Sequence, residues 1–285
     1  MHSLHDILAP AKLNLFLHIV GRRPDGYHLL QSAFQLIDWY DTLHFELRPH
    51  QAISREDLTT PLPEKDLIVL AALALQAATH CKHGAHISIA KSIPAQAGLG
   101  GGSSDAASTL LALNRLWGLH LSVKQLSEIG LKLGADVPFF LQGHNAWVEG
   151  VGEIFTPLEL PAARFVVLKP PQGLPTPQIF LDPSLKRDTE PAIILGFAAN
   201  TFGFGRNDLQ AVAQKLCPQV TQALDWLASK GLSGRMTGSG SAVFAHLVHD
   251  IDVNKLLDDV PDTFELRLCN SLDAHPLVGW APSDG

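Results

Sequence analysis

The chain has 285 residues, enough for two lobes that share a site, and 46% of them are hydrophobic against 17% charged. That balance builds a compact folded protein and excludes a disordered one. A formal net charge of -7, with no lysine or arginine run, excludes nucleic-acid backbone binding as a main task. A protein this acidic that handles phosphates must do so locally, with backbone N–H groups, a few cations and Mg²⁺.

The first residues, Met1-His2-Ser3-Leu4-His5-Asp6, lack a basic stretch followed by an apolar core, so no signal peptide is expected. Ala9 to Val20 alternates, with Ala11, Leu13, Leu15, Leu17 and Ile19 apolar, and reads as a strand with one face in the core. Lys12 and Asn14 fall together on the other face, either solvated or aimed into a cleft. Arg23-Pro24-Asp25-Gly26 is a turn in which proline presets φ and glycine takes positive φ. Tyr27 and His28 leave that turn, placed either to contact a flat ring or to pin the loop to the core. Leu29 to Leu47 continues as strand, and Gln51 to Lys65 is polar and reads as a loop. Asp66 is a good N-cap for a helix over Leu67–Thr79 that is apolar nearly all round and hence buried. Its apolar run is too short for a membrane span. His80-Cys81-Lys82-His83 at its end reads as a solvated terminus rather than a metal site.

His86 to Ala90 alternates like a strand and leads into the densest signal of the chain, Pro94-Ala95-Gln96-Ala97-Gly98-Leu99-Gly100-Gly101-Gly102-Ser103-Ser104-Asp105. Four glycines fall between Gly98 and Gly102, just before a helix that runs to about Trp117. Strand, glycine loop and helix start concentrate free backbone N–H groups and positive dipole at one point, a site for phosphate. The loop lacks the lysine of a Walker A motif, and Ser103 stands where a dinucleotide fingerprint needs glycine. Ser103 and Ser104 are placed to cap the helix, to donate to phosphate, or to help hold a metal.

Ser122 caps a further helix that ends near Gly134. Asp136-Val137-Pro138 marks another helix start, with Asp136 either as its cap or as a catalytic base beside the phosphate loop. Strand and turn fill Gly143 to Glu153, and a lobe boundary is expected near Pro157–Ala163. Phe165–Leu168 is a buried strand, and Pro170 to Pro183 reads as extended and irregular, a linker or a cleft lining. Helices are expected from Asn207 to about Leu216, from Pro218 to Lys230 with Gly231 closing it, and over Asp252–Val260. Between them Thr237-Gly238-Ser239-Gly240-Ser241 forms a second glycine-serine turn that leads into a strand and is placed to approach the first loop. A last strand covers Thr263–Cys269. The three cysteines, Cys81, Cys217 and Cys269, are odd in number and scattered, which indicates neither a disulfide framework nor a zinc ribbon and points to a reducing cytoplasm.

Pro94 to Ser104 and Thr237 to Ser241 together resemble the GHMP kinase superfamily, which includes galactokinase, homoserine kinase and mevalonate kinase. Within it, Pro10-Ala11-Lys12-Leu13-Asn14-Leu15, Arg23-Pro24-Asp25-Gly26-Tyr27-His28 and Gly134-Ala135-Asp136-Val137-Pro138-Phe139-Phe140 resemble the members that act on a cytidyl diphosphate erythritol in the non-mevalonate isoprenoid route. The resemblance spans residues 9 to about 245. It implies an α+β two-lobed GHMP kinase fold, with a ribosomal protein S5 domain 2-like lobe over 1–157 and a ferredoxin-like α/β lobe over 158–285. It implies an ATP- and Mg²⁺-dependent phosphotransferase with an alcohol group as acceptor, cytoplasmic and bacterial, working on small molecules without nucleic-acid or membrane partners, as a monomer or weak homodimer.

Carried over residue by residue, Asp136 would take the acceptor's proton and Lys12 would lie beside it. Pro94 to Ser104 would cradle ATP, and Ser104 or Asp105 would stand near the metal. Asn14, Tyr27, His28, Thr176 and Phe180 would contact the acceptor, with Tyr27 and Phe180 sandwiching its cytosine and His28 bonding its edge. Gly238, Ser239 and Gly240 would support the transferred group. Ala242 stands where the superfamily usually has cysteine, and residues 190–206 match too weakly to carry a role. Another small-molecule kinase of the same fold is disfavoured by the turn at Asp25–His28. A non-catalytic nucleotide-binding module is disfavoured by the pairing of Lys12 with Asp136.

Overall fold

A long antiparallel hairpin organises the computed structural model, which describes residues 2–248, 256 and 260–283. Its arms are β1 (Ser3–Arg22) and β2 (His28–Arg48), joined by the tight turn in which Gly26 takes φ +93° and the Asp25 side chain accepts the Tyr27 N–H at 3.2 Å. β2 is the spine of a 10-stranded mixed sheet. It also pairs with β4 (Gly84–Ala90), β5 (Ala146–Glu149) and β10 (Glu265–Leu272). β3 (Ile53–Asp57) adds to β4 in parallel, and β6 (Ile154–Pro157) adds to β5. Through β10, which pairs with β2 at Ser271–Ile37 and then with β7 (Arg164–Lys169), the sheet continues to β9 (Val243–Leu247) and β8 (Arg235–Met236).

Helices cover this sheet. α1 (Leu67–Thr79), α2 (Gly101–Leu116), α3 (Val123–Gly130) and α4 (Val137–Gln142) belong to the first half. α5 (Thr176–Leu181), α6 (Ile194–Ala198), α7 (Gln210–Leu216) and α8 (Pro218–Ser229) belong to the second. Each half has its own apolar cluster, one around Leu36, Phe45, Leu110 and Phe139, the other around Val166, Ile179, Val220 and Leu227. A third cluster, with Phe16, Trp39, Trp147, Phe165 and Phe197, bridges the two. Beyond β10 the chain returns to the first half: His275 N–H donates to Gly143 O at 2.8 Å, and Leu277 enters the first cluster.

Local chemistry sets several boundaries as expected. Asp66 accepts the Val69 N–H at 3.1 Å and caps α1. Ser122 and Gln125 form a reciprocal capping box on α3. Pro218 opens α8, and Gly231 closes it at φ +75°.

Other expectations are corrected. β1 is buried on both faces from Ala9 to Ile19, because α2 and the second half's loops cover the side that the alternation left polar. Residues 53–57 are an edge strand, not loop: Ile53, Arg55 and Asp57 are half-buried, and Ser54 and Glu56 are exposed. α1 is buried only along Ile68, Ala71, Ala72 and Leu75, while Leu70 and Leu73 face solvent. α2 starts two residues earlier than Ser103, with Gly100 in the left-handed region at φ +74°, so Ser103 and Ser104 sit inside the first turn and cap nothing. The proline-rich stretch holds α5, where Pro177 in the first turn is compatible with helix. α7 begins at Gln210, and Asn207 stands before it. Tyr27 is 65% exposed and does not pin its loop. The helix expected over 252–260 falls, apart from Leu256 and Val260, outside the described residues.

The returning segment carries a testable acid sensitivity. His275 is buried against Ser108 and accepts the Leu277 N–H at 3.1 Å; burial pushes its pKa down to about 3. The folded state therefore holds it neutral while the unfolded chain protonates it near its ordinary value. Its contribution to stability is intact above about pH 6.5 and is lost progressively as pH falls toward 3. Between pH 7 and 5 this group costs the wild type up to about 2 kcal/mol. Urea unfolding at the two pH values should show a smaller loss for His275→Gln.

Candidate active site

β1 brings Lys12 against the glycine loop: the Lys12 N–H donates to Leu99 O at 2.9 Å. The Lys12 ammonium is buried, donates to the Asn14 amide oxygen, lies 3.6 Å from Asp136 Oδ2 and sits 4.6 Å over the Phe34 ring. Burial pushes the Lys12 pKa down, and the nearby Asp136 carboxylate opposes the shift. Asp136 holds the N-cap position of α4, but its side chain caps nothing. The helix thus sets the aspartate's place and leaves its carboxylate to Lys12.

The loop itself is held in left-handed backbone at Gln96 (φ +52°), Gly98 (φ +75°) and Gly100 (φ +74°). A Cβ on Gly100 would lie 2.9 Å from the Phe140 ring and 3.1 Å from Lys12 Cγ, so glycine permits the close approach of loop and lysine. The Ser104 N–H donates to Gly100 O at 2.9 Å, which leaves the N–H groups of Gly101, Gly102 and Ser103 as the unpaired donors of the α2 start. These and the helix dipole suit phosphate oxygens.

The second glycine-serine turn does meet the first. Ser241 N–H donates to Gln96 O and Ala242 N–H to Ala97 O, each at 3.1 Å. The buried Thr237 hydroxyl accepts the Asn14 N–H at 2.9 Å and donates to Gly98 O at 3.3 Å, joining β1 and both loops through one oxygen. Asn207 anchors the turn from below by donating to Met236 O and Gly238 O, both at 2.8 Å.

Between the halves lies a cleft of about 810 Å³. Its wall includes Lys12, Asn14 and Asp136, the whole of Pro94 to Ser103, and Thr176, Phe180, Gly238 and Ser239. Thr176 on α5 reaches across it to the Ser239 hydroxyl at 2.7 Å. The structure does not bring the remaining candidates to the wall. Ser104 is buried behind it; Gly240 packs on Met236 and Leu174; Tyr27 projects into solvent; and His28 stacks behind Phe180, with ring centres 5.1 Å apart.

Several residues of the site escaped sequence reasoning. Lys91, at the end of β4, donates to Asp41 and, at 2.7 Å, to Asp105. Burial raises the Asp105 pKa against the opposing pull of Lys91, and one ammonium serves two buried carboxylates. Asp41 also accepts the Ser92 and Ile93 N–H groups at 2.6 and 2.8 Å, which fixes the chain entering the glycine loop. Arg55 on β3 donates to Asp57, Asp66, Leu62 O and Pro63 O at 2.7 to 3.1 Å. It thereby clamps the segment whose Leu62, Lys65, Asp66 and Leu67 form the far end of the cleft. Arg187 holds His28. Lys91 and Arg187 have partners remote in sequence that no spacing rule connects, and the Arg55 partners are spread over a segment that reads as loop. Among the described residues no group of three or more His, Cys, Asp or Glu side chains forms a metal cluster, and no helix is long and apolar enough to cross a membrane.

Comparison with known proteins adds to this geometry. Residues 66–144 match the GHMP kinases N terminal domain, and residues 191–266 match the GHMP kinases C terminal domain. The chain is 69% identical over 284 residues to the 4-diphosphocytidyl-2-C-methyl-D-erythritol kinase of Albidiferax ferrireducens, covering 100% of this chain and 98% of that protein. It is similar to a crystal structure of 4-(cytidine 5'-diphospho)-2C-methyl-D-erythritol kinase, with a TM-score of 0.78, 32% identity and 94% and 98% of the two chains covered. The homoserine kinase from Cytophaga hutchinsonii shares the fold, with a TM-score of 0.70 at 16% identity and 96% of each chain covered.

Proposed function

The chain belongs to the 4-diphosphocytidyl-2-C-methyl-D-erythritol kinases of the GHMP kinase family, and from that premise we propose how its cleft carries out the reaction. The enzyme transfers the γ-phosphoryl group of ATP to the 2-hydroxyl of 4-(cytidine 5'-diphospho)-2-C-methyl-D-erythritol, in the non-mevalonate isoprenoid route. The observation that carries the assignment of roles is the Lys12–Asp136 pair, 3.6 Å apart beside the glycine loop. Asp136 accepts the hydroxyl proton as the oxygen attacks the γ-phosphorus; the new P–O bond forms, the bond to the β-phosphate breaks, and ADP leaves. Lys12 orients Asp136 and offsets negative charge on the attacking oxygen. Phosphoryl transfer is mostly positioning and charge neutralisation, so these parts and a nest of N–H donors suffice.

The Pro94–Ser104 loop holds the ATP phosphates, and its base lies toward Leu62–Leu67. Asn14, Thr176 and the Gly238–Gly240 turn meet the acceptor and the transferred group. Phe180 stacks on the cytosine with His28 packed behind its ring, and Tyr27, exposed at the exit of the β1–β2 turn, would close on the far face of the base. Mg²⁺ supplies neutralising charge to the phosphates. Of the residues present Asp105 would hold it, since it lines the cleft and its Oδ1 is buried without a hydrogen-bond partner; Ser104 Oγ is also unpartnered but lies behind the wall. Three buried, unpaired cysteines suit a cytoplasmic enzyme, here read as a monomer or weak homodimer. The lobes divide at 157/158, with residues 273–283 returning to the first.

A phosphoryl-transfer assay with ATP, Mg²⁺ and a panel of acceptor alcohols tests the reading. Turnover is expected with the cytidyl diphosphate erythritol; turnover confined to homoserine or mevalonate would overturn it. Phe180→Ala should raise the acceptor KM about tenfold, the worth of one base stacked on one aromatic ring. The ATP KM should stay within about twofold, and an equal rise in both would remove Phe180 from the base site.

A further inference from the structure

His28, Phe180 and Arg187 come from three parts of the chain, the exit of the β1–β2 turn, helix α5 and the loop after it. The fold joins them behind the acceptor end of the cleft. Arg187 Nε donates to His28 Nε2 at 2.9 Å. Its Nη1 donates to Leu185 O at 2.9 Å, and its Nη2 donates to Phe180 O at 3.2 Å and Asp182 O at 2.9 Å. The guanidinium fork therefore closes the C-terminal end of α5 and grips one imidazole nitrogen at the same time. The held imidazole lies against the Phe180 ring, centres 5.1 Å apart and planes 34° from parallel.

We propose that Arg187 is a positioning residue for the acceptor's base: it locks His28 behind Phe180 and so fixes the ring that Phe180 presents to the cleft. The inference rests on the reading above that the Phe180 end of the cleft receives the base. Arg187 cannot accept a proton from His28, so the bonded Nε2 must be the unprotonated nitrogen. His28 is then neutral, with its proton on Nδ1. Burial and the two cations that face the ring, Arg187 and Arg22, push its pKa below the ordinary histidine value in the same sense. Without Arg187, α5 loses the donor to its last carbonyls, His28 loses its partner, and the wall must be ordered each time the acceptor binds. Ordering on binding weakens affinity. The cost falls on the acceptor KM, because Lys12 and Asp136 are carried by other elements, β1 and α4, and the glycine loop by neither.

Steady-state kinetics of Arg187→Ala and Arg187→Lys, with nitrogen NMR of the His28 ring, test this. Arg187→Ala should raise the acceptor KM about tenfold or more, keep kcat and the ATP KM within about twofold, and move the His28 titration to higher pH. Arg187→Lys keeps the charge without the fork and should fall between wild type and Arg187→Ala. In the wild type the ring should be the Nδ1-protonated tautomer, a measurement that stands even where a variant fails to fold. An unchanged acceptor KM, an equal rise in the ATP KM, or a ring protonated at Nε2 would each overturn the proposal. A wild type inactive on the cytidyl acceptor overturns the functional reading instead, and the tautomer then decides the role of Arg187.

Discussion

Asp136→Asn should lower kcat by about 10³-fold while ATP affinity stays within about threefold, as single-turnover transfer and ATP titration would show. The factor lies within the range that a positioned general base contributes. The amide keeps the shape of the carboxylate and cannot take the hydroxyl proton. The change spares α4, because the Asp136 side chain makes no capping bond to lose. It also spares the phosphate nest, whose N–H donors belong to Gly101, Gly102 and Ser103. The variant has a second signature. Asp136 is the charge that opposes the burial-driven fall of the Lys12 pKa. With the amide in its place Lys12 deprotonates more readily, so the residual activity should fade at a lower pH on the alkaline side than in the wild type. Turnover within tenfold of wild type would remove Asp136 as the base.

What made Asp136 legible in the sequence is also what made it ambiguous. An aspartate two residues before a proline is a helix-start pattern, and α4 does start there; the resemblance put Lys12 beside it, and the fold turns the carboxylate away from the helix toward that lysine. Signals of short range were readable in this way: the Asp66 cap, the Ser122 capping box, the strand–glycine–helix order and the two glycine loops. Expectations failed where a distant segment decides. Alternation along β1 put Lys12 and Asn14 on a polar face and left solvent or cleft open; distant loops cover that face and decide for the cleft, with both side chains buried. Ile53 to Asp57 carries three charges and reads as loop, but pairing with β4 and the Arg55 clamp make it a strand. Lys91 and Asp41 stand 50 positions apart, and Arg187 and His28 stand 159 apart. A sequence names such residues without joining them.

Gly98→Ala should lower the melting temperature by about 10 °C and abolish turnover, and Gly102→Ala is its control. The glycines of the first loop look alike in sequence, all suited to let phosphate approach the backbone. Their surroundings differ. A Cβ on Gly98 would lie 2.1 Å from Thr237 O and 2.9 Å from Gly240 N, at φ +75° where L side chains are strained. The obstruction is backbone, the second glycine turn, and backbone cannot swing aside as a side chain can. Left-handed strain and overpacking each cost about 1–3 kcal/mol. Together they loosen the junction where Ser241 and Ala242 bond the first loop and where Thr237 bridges it to Asn14. That junction sets the distance between phosphate loop and Lys12, so its loss separates donor from base as well as destabilising the fold. A Cβ on Gly102, by contrast, meets only Leu67 Cδ1 at 3.5 Å, an ordinary contact. Gly102→Ala should fold with a melting temperature within about 2 °C of wild type, and any loss it shows should appear in the ATP KM. Calorimetry and kinetics on the pair therefore separate a glycine that the second loop requires from one that the phosphate requires. Equal melting temperatures for the two variants would sink the distinction.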